Sequence, residues 1–333
     1  MAAESRQTPR EAVDGIFKEG RLPAGYKIIF PTIDVIGGSI ETHIQAGLKV
    51  DDRLLIALGN EYDAMLNLLK KVVGEENVRL IQSRIVYTQM TPQGPVLRGA
   101  TLPKMPESMK GEEFPYIDWK FRQWPRDSYS LIDGQIHADP VMWNGKGDIV
   151  VDSPFFEGGK VLQRKNVLLV TPDVYGKYKK RKDIVPGKTV LPIPFVEVKL
   201  PMAVAKDHID GHVALLEGKD GELGIFAAES YAKQGNQTSK KLRSVAQRIG
   251  ARFVEIDDAR LPLLAFNFIQ LWDNSIVMSG GTGELEFRLK DFVGEDKIFT
   301  TNPPIGFTPI LAGGSIRCLT NIIPPLDGLQ IAA

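Results

Sequence analysis

"HVALLEGKDGELGIFAAESYAKQGNQTSKKLRSVAQRIGARFVEI", residues 212–256, contains two β-like runs, one helical run and a third β-like run, in that order. "HVALLE" (212–217) and "LGIFAA" (223–228) are short apolar runs of strand length. "QTSKKLRSVAQRIGA" (237–251) returns its apolar residues at three- and four-residue steps and reaches Gly250 near its end, which predicts an amphipathic helix. "RFVEI" (252–256) follows as another strand. The order strand, strand, helix, strand points to a mixed α/β protein assembled from similar units.

Working outward, further strands are expected at "YKIIF" (26–30), "RLLIAL" (53–58), "NVRLIQ" (77–82), "DIVVD" (148–152), "NVLLV" (166–170) and "NSIVMSG" (274–280). A second clear helical pattern is "EYDAMLNLLKKVVG" (61–74). Residues 86–123 are rich in Pro, Met and Gly and read as irregular; long loops of that kind in compact domains are often functional. "KYKKRKD" (177–183) is the strongest basic run, read as a solvated loop, with a docking patch for an acidic partner as the other reading.

The 333 residues suffice for one large domain or two ordinary ones, with a sizeable core either way. Lys+Arg and Asp+Glu each total 41 and 43% of residues are apolar, so there is no basic excess of the kind nucleic-acid binding needs. One cysteine cannot form an intramolecular disulfide and suits a reducing compartment. No stretch approaches the roughly 18 apolar residues of a membrane span, and "MAAESRQTPREAVDGIFKEG" has no apolar leader core, so the cytoplasm is the expected location.

Four stretches set ionisable side chains beside Gly, Pro or aromatic residues: "WPRDS" (124–128), "FFEGG" (155–159), "DHIDGH" (207–212) and "GGSIRC" (313–318). Taken singly, each also reads as a surface ion pair or a turn. On an extended strand, His208, Asp210 and His212 would share one face. That face reads as a metal site, as a general acid/base histidine with an acidic neighbour, or as a polar edge strand; Gly211 could add a bulge. His43 and His137, the remaining histidines, sit in no companion motif. Cys318 reads either as a small buried residue or as a nucleophile. Adjacent Arg317 would favour its thiolate, and the glycines before it permit close backbone approach.

Together, and in this order, the four stretches resemble the motifs of the guanidine-modifying enzymes of the pentein superfamily: agmatine deiminases, arginine deiminases, peptidyl-arginine deiminases, dihydrolases and amidinotransferases. "WPRDS" is similar to the family's Arg-Asp motif, "FEGG" to its Glu-Gly-Gly motif, "HID" to its His-x-Asp motif and "GGSIRCLT" to its cysteine motif. The resemblance implies an α/β fold in which ββαβ-type units form a five-bladed propeller around a central site, as one catalytic domain over 1–333. It also implies Cys318 as nucleophile, His208 as general acid/base and Glu157 as a second acid. Asp127 and Asp210 would hold the guanidinium, with Trp124 and Arg317 as further substrate contacts. No cofactor or metal is implied. The partner is a small guanidino compound, with peptidyl-arginine as a larger alternative; no nucleic acid or membrane is expected, and a homo-oligomer is among the allowed arrangements. Ser128 and Tyr129 stand where agmatine deiminases carry Gly-Pro, and Lys160, Val161 and Leu162 where a histidine follows Glu-Gly-Gly. The resemblance therefore implies the reaction type more narrowly than the substrate, and "CLTN" and "DHID" are also similar to peptidyl-arginine deiminases.

Overall fold

A computed structural model describes residues 21–31, 52–81, 86–91, 94–99, 125–127, 129–138, 150–151, 153–194, 198–199, 204–205, 208–233, 237–312 and 314–325. β1 (Lys27–Pro31) is followed by α1 (Asp52–Val73) and by β2 (Val78–Ile81), which pairs parallel with β1. α1 buries Leu58, Tyr62, Met65, Leu69 and Val72, spaced three and four residues apart, so one stripe of the helix faces the core. Asp52 in its first turn and Lys70 and Lys71 in its last complement the helix dipole. It stops at Gly74, whose φ of 90° lies where glycine is favoured. The strand expected at 53–58 is thus corrected to helix: its unbroken apolar run continues the 61–74 pattern, and Leu55 and Ile56 fall on the exposed side.

A second correction follows at once. Part of the segment expected to be irregular forms an antiparallel hairpin, β3 (Val86–Thr91) with β4 (Gly94–Gly99). Val86, Tyr87, Thr88 and Thr91 are residue types that favour extended backbone, a signal masked by the surrounding Pro and Gly. Residues 100–124 lie outside the described residues.

β5 (Tyr129–Ile132) and β6 (Gln135–Ala138) form a tight hairpin in which Asp133 and Gly134 both have positive φ, as a two-residue I′ turn requires. β7 (Val150–Val151) pairs parallel with β6. β8 (Val161–Arg164) and β9 (Val167–Val170) are antiparallel, and α2 (Pro172–Tyr178) leads to β10 (Thr189–Pro192), parallel to β9. A small antiparallel pair, β11 (Val198–Lys199) and β12 (Val204–Ala205), comes next. β13 (Val213–Glu217) and β14 (Leu223–Ala228) are antiparallel; α3 (Glu229–Lys233) and α4 (Thr238–Arg248) then lead to β15 (Arg252–Ile256), parallel to β14. The stretch 212–256 therefore folds as its pattern predicts. β16 (Ile269–Gln270) and β17 (Ile276–Met278) are antiparallel, and α5 (Gly283–Val293) leads to β18 (Ile298–Thr300), parallel to β17. α6 (Phe307–Ala312) and α7 (Ile316–Leu319) precede β19 (Asn321–Ile323), which pairs antiparallel with β1.

Among the described residues there are five three-stranded sheets, and all five are wired alike. In each, the middle strand is antiparallel to one neighbour and parallel to the other. A parallel pair needs a crossover, and helices supply it for the sheets centred on β1, β9, β14 and β17. The largest apolar cluster joins β13, β14, α4, β17 and α5 through Leu215, Phe226, Leu242, Met278, Leu289 and Phe292. A second wraps α1 around β1, β17 and α7. No described helix is long and apolar enough to cross a membrane.

Candidate active site

Five stretches lead into the first strands of the five sheets: residues 125–127 before β5, 157–160 before β8, 208–212 before β13, 265–268 before β16 and 314–320 before β19. Arg126, Glu157, His208, Asp210, Asn267, Arg317 and Cys318 come from these connections.

Glu157 stands in extended backbone immediately before a 3-10 turn at Gly158–Lys160. Its Oε1 lies 2.9 Å from Nε2 of His208, and its Oε2 lies 3.2 Å from Nζ of Lys160. Burial pushes the Glu157 carboxyl up, but the hydrogen bond to His208 and the charge of Lys160 outweigh it and hold the group below its ordinary value. An ionised carboxylate only accepts, so Nε2 of His208 carries the proton. The two glycines that follow are required by what packs on them. A Cβ on Gly158 would sit 2.6 Å from Arg126 Nε, and one on Gly159 would sit 2.5 Å from His208 Nδ1. The Gly159 carbonyl also accepts from the Ile209 N–H at 2.9 Å, tying the two loops together.

The extended face expected for His208, Asp210 and His212 is corrected. These residues occupy a turn, in which the N–H groups of His212 and Val213 both donate to the Ile209 carbonyl, and the strand begins only at Val213. Reversal at Gly211 sends the three side chains to different partners. His208 meets Glu157, Asp210 meets Arg317, and His212 stacks on Tyr231 with ring centroids 6.0 Å apart. Burial lowers the pKa of His212, and no group of three metal-ligating side chains forms among the described residues. His137 likewise lies in the core against Ser153, pushed down to about 4 by burial and therefore neutral.

Asp210 is 2% exposed and accepts a charge-assisted hydrogen bond from Arg317 Nη1; Arg317 Nη2 donates to the Val161 carbonyl at 2.7 Å. Arg317, expected as a substrate contact, thus pairs here with Asp210 and the Val161 carbonyl. Arg164, on β8, is similarly committed to the Gln270 side chain and carbonyl. Arg126 lies against Gly158 and within electrostatic reach of Arg317, Asp210 and Cys318. Burial and the charge of Arg317 push it down to about 9, which leaves it cationic at neutral pH. Asp127 is placed by its backbone alone, in the 3-10 turn Pro125–Asp127; Trp124 lies outside the described residues.

Cys318 sits on α7, 6% exposed, among polar groups as well as apolar ones. Two asparagines organise this end of the site: Asn321, the last residue of "CLTN", and Asn267, not singled out from the sequence. Asn321 is 1% exposed, and its Nδ2 donates to the carbonyls of Pro125 (3.0 Å) and Tyr129 (2.9 Å), clamping the Arg126 turn beside α7. Asn267 is 2% exposed; its Oδ1 accepts from the Cys318 N–H at 3.1 Å and its Nδ2 lies 3.1 Å from Cys318 Sγ. The available sequence signal for Asn267 was its place, with Gln270, as a polar residue inside the otherwise apolar run "LLAFNFIQLW" (263–272).

No protein-family model matches the chain, and no curated protein matches it in sequence. Solved structures do. DDAH from Pseudomonas aeruginosa, a cysteine-to-serine mutant complexed with citrulline, is 11% identical with a TM-score of 0.50, over 90% of this chain and 99% of that one. ArgZ, an arginine dihydrolase from the ornithine-ammonia cycle in cyanobacteria, is 15% identical with a TM-score of 0.52, over 90% of this chain. Unliganded AgrE is 14% identical with a TM-score of 0.51, over 92% of this chain. The matched part is 40% of ArgZ and 41% of AgrE, so this chain spans less than half of either. The likeness read from the four motifs holds at the level of architecture: this chain shares the overall fold of DDAH, ArgZ and AgrE.

Proposed function

We propose that the protein is a cysteine-dependent deiminase that hydrolyses the guanidinium of an agmatine- or arginine-type substrate to a ureido product and ammonia. The observation that carries this reading is convergence. Glu157 and His208 are hydrogen-bonded, Asp210 is paired with Arg317 of the Cys318 helix, and Arg126 lies against Gly158 and within electrostatic reach of Asp210, Arg317 and Cys318, although these residues are scattered over nearly two hundred positions. In this reading the five like-wired sheets are the five blades of a propeller, one domain over 1–333, whose connections face a shared centre. Support for the substrate class comes from the chemistry of the site and from fold neighbours named for arginine dihydrolysis and complexed with citrulline.

A guanidinium is planar and cationic and presents N–H donors in a rigid fork, which carboxylates grip through charge-assisted bonds. Asp210 already holds one such group, that of Arg317, and with Asp127 would receive the substrate. The Cys318 thiolate attacks the central carbon and a C–S bond forms. His208 gives its proton to one nitrogen, the C–N bond breaks and ammonia leaves a thiouronium on the sulfur. Water then adds to that carbon and His208 takes the proton. The C–S bond breaks, regenerating the thiolate and releasing the ureido product. Glu157 keeps the imidazole oriented and stabilises its cationic form throughout.

The test is to incubate the protein separately with agmatine, free arginine, a blocked arginine amide and methylated arginines, measuring ammonia and ureido product. At least one should turn over, and Cys318→Ala should abolish it; full activity in that variant overturns the assignment. New guanidino product on adding an amine acceptor would replace hydrolysis with amidine transfer by the same intermediate.

A further inference from the structure

Four of the five connections leading into the sheets supply residues that the proposed chemistry uses, and the fifth, residues 265–268, supplies Asn267. We propose that Asn267 is a further catalytic residue, whose side-chain amide donates to the Cys318 sulfur and holds it as an oriented thiolate. This deepens the function proposed above and rests on it. The orientation of the amide is dictated by the network. The Cys318 N–H is buried and needs an acceptor, which Asn267 Oδ1 provides at 3.1 Å. With the oxygen so engaged, the NH2 group must face the sulfur, at 3.1 Å. A second tie fixes the segment, because the Arg317 N–H donates to the Asn267 carbonyl at 3.2 Å. One residue thereby grips the nucleophile at its backbone and at its reacting atom.

A donor aimed at sulfur gains most when the sulfur is anionic, since a hydrogen bond with an ionised partner is roughly twice as strong as a neutral one. An unperturbed thiol is only a few per cent ionised at neutral pH, so this preference acts on the quantity that limits attack. Arg126, from the turn before β5, lies within electrostatic reach of the sulfur, and Arg317, on the same helix as Cys318, pairs its guanidinium with Asp210 from the turn before β13.

Because the chain has one cysteine, thiolate absorbance near 240 nm titrates Cys318 alone, with Cys318→Ala as the blank. Asn267→Asp keeps the acceptor for the Cys318 N–H but puts a carboxylate where the donor was. Its thiol midpoint should rise by about one pH unit or more, a roughly tenfold loss of thiolate at neutral pH. Asn267→Ala should shift it in the same direction by less, and both variants should be alkylated by iodoacetamide more slowly at pH 7. In the unsubstituted protein, the Asn267 side-chain amide signal in a nitrogen-15 spectrum should titrate with the same midpoint as the thiolate absorbance, which tests the contact even if a variant fails to fold. Unmoved midpoints in the folded variants, or an amide signal indifferent to the titration, would overturn the proposal. Absent turnover with these shifts present would instead count against the deiminase reading, because the titration needs no substrate.

Discussion

The two glycines after Glu157 are where the site tolerates least. Gly159 leaves His208 no clearance beyond the backbone, and a methyl group there would meet the ring at 2.5 Å. Gly159→Ala should therefore lower turnover about a hundredfold, the scale of loss that a displacement near 1 Å produces, while the melting temperature changes little. Retained kcat with a folded protein would show that the ring position is unimportant. Glu157 makes a second, pH-dependent prediction. Its folded value lies below the ordinary carboxylate value, so it stabilises the protein above that ordinary value, about 4.3. That contribution is lost as pH falls from there through the folded value. Glu157→Gln should accordingly lower the melting temperature at pH 7 and flatten its fall below about pH 4.5; parallel curves for the two proteins would contradict this.

Elements longer than about ten residues, and strands with strongly apolar interiors, were legible in the sequence because packing dictates their pattern. The 212–256 unit and the second half of α1 are examples. The error at 53–58 has a local cause: the five apolar residues Leu54 to Leu58 are too few to distinguish a buried strand from a helix turn. β8, β16 and β19 span only two to four residues, too few to show a period, yet they seat the site loops. The acid, the imidazole and the cysteine were legible as motifs. Asn267 was not, because its partner lies 51 positions away and an amide carries no motif of its own; Asn321 ends the "CLTN" stretch, but its clamp on Pro125, nearly 200 positions away, was not legible. Glu61 is a similar case. From inside α1 it is 3% exposed and accepts from the N–H groups of Gly306, Phe307 and Thr308, each at 2.8 Å, and from the Thr308 hydroxyl at 2.7 Å. It caps α6, the element that leads to the cysteine segment. Glu61→Ala strips the acceptor from four donors and should cost about 3 kcal/mol or more, read from denaturant unfolding. A loss below about 1 kcal/mol would mean that water replaces the carboxylate without penalty.

Across the whole chain, like-wired sheets solve one problem five times. Each turns the connection before its first strand into a platform, and the β1–β19 pairing brings residues near opposite ends of the sequence into one sheet beside the cysteine helix. What the assembly is held to accomplish is covalent: carbon from the guanidino group is transferred to Cys318 before water removes it. Acid-quenched intact-mass spectrometry during turnover of the best guanidino substrate measures this directly. The protein should gain the mass of the substrate less ammonia, on the peptide containing Cys318, and the gain should be absent from Cys318→Ser. Full turnover with no such adduct, together with undiminished product formation by Cys318→Ser, would contradict it.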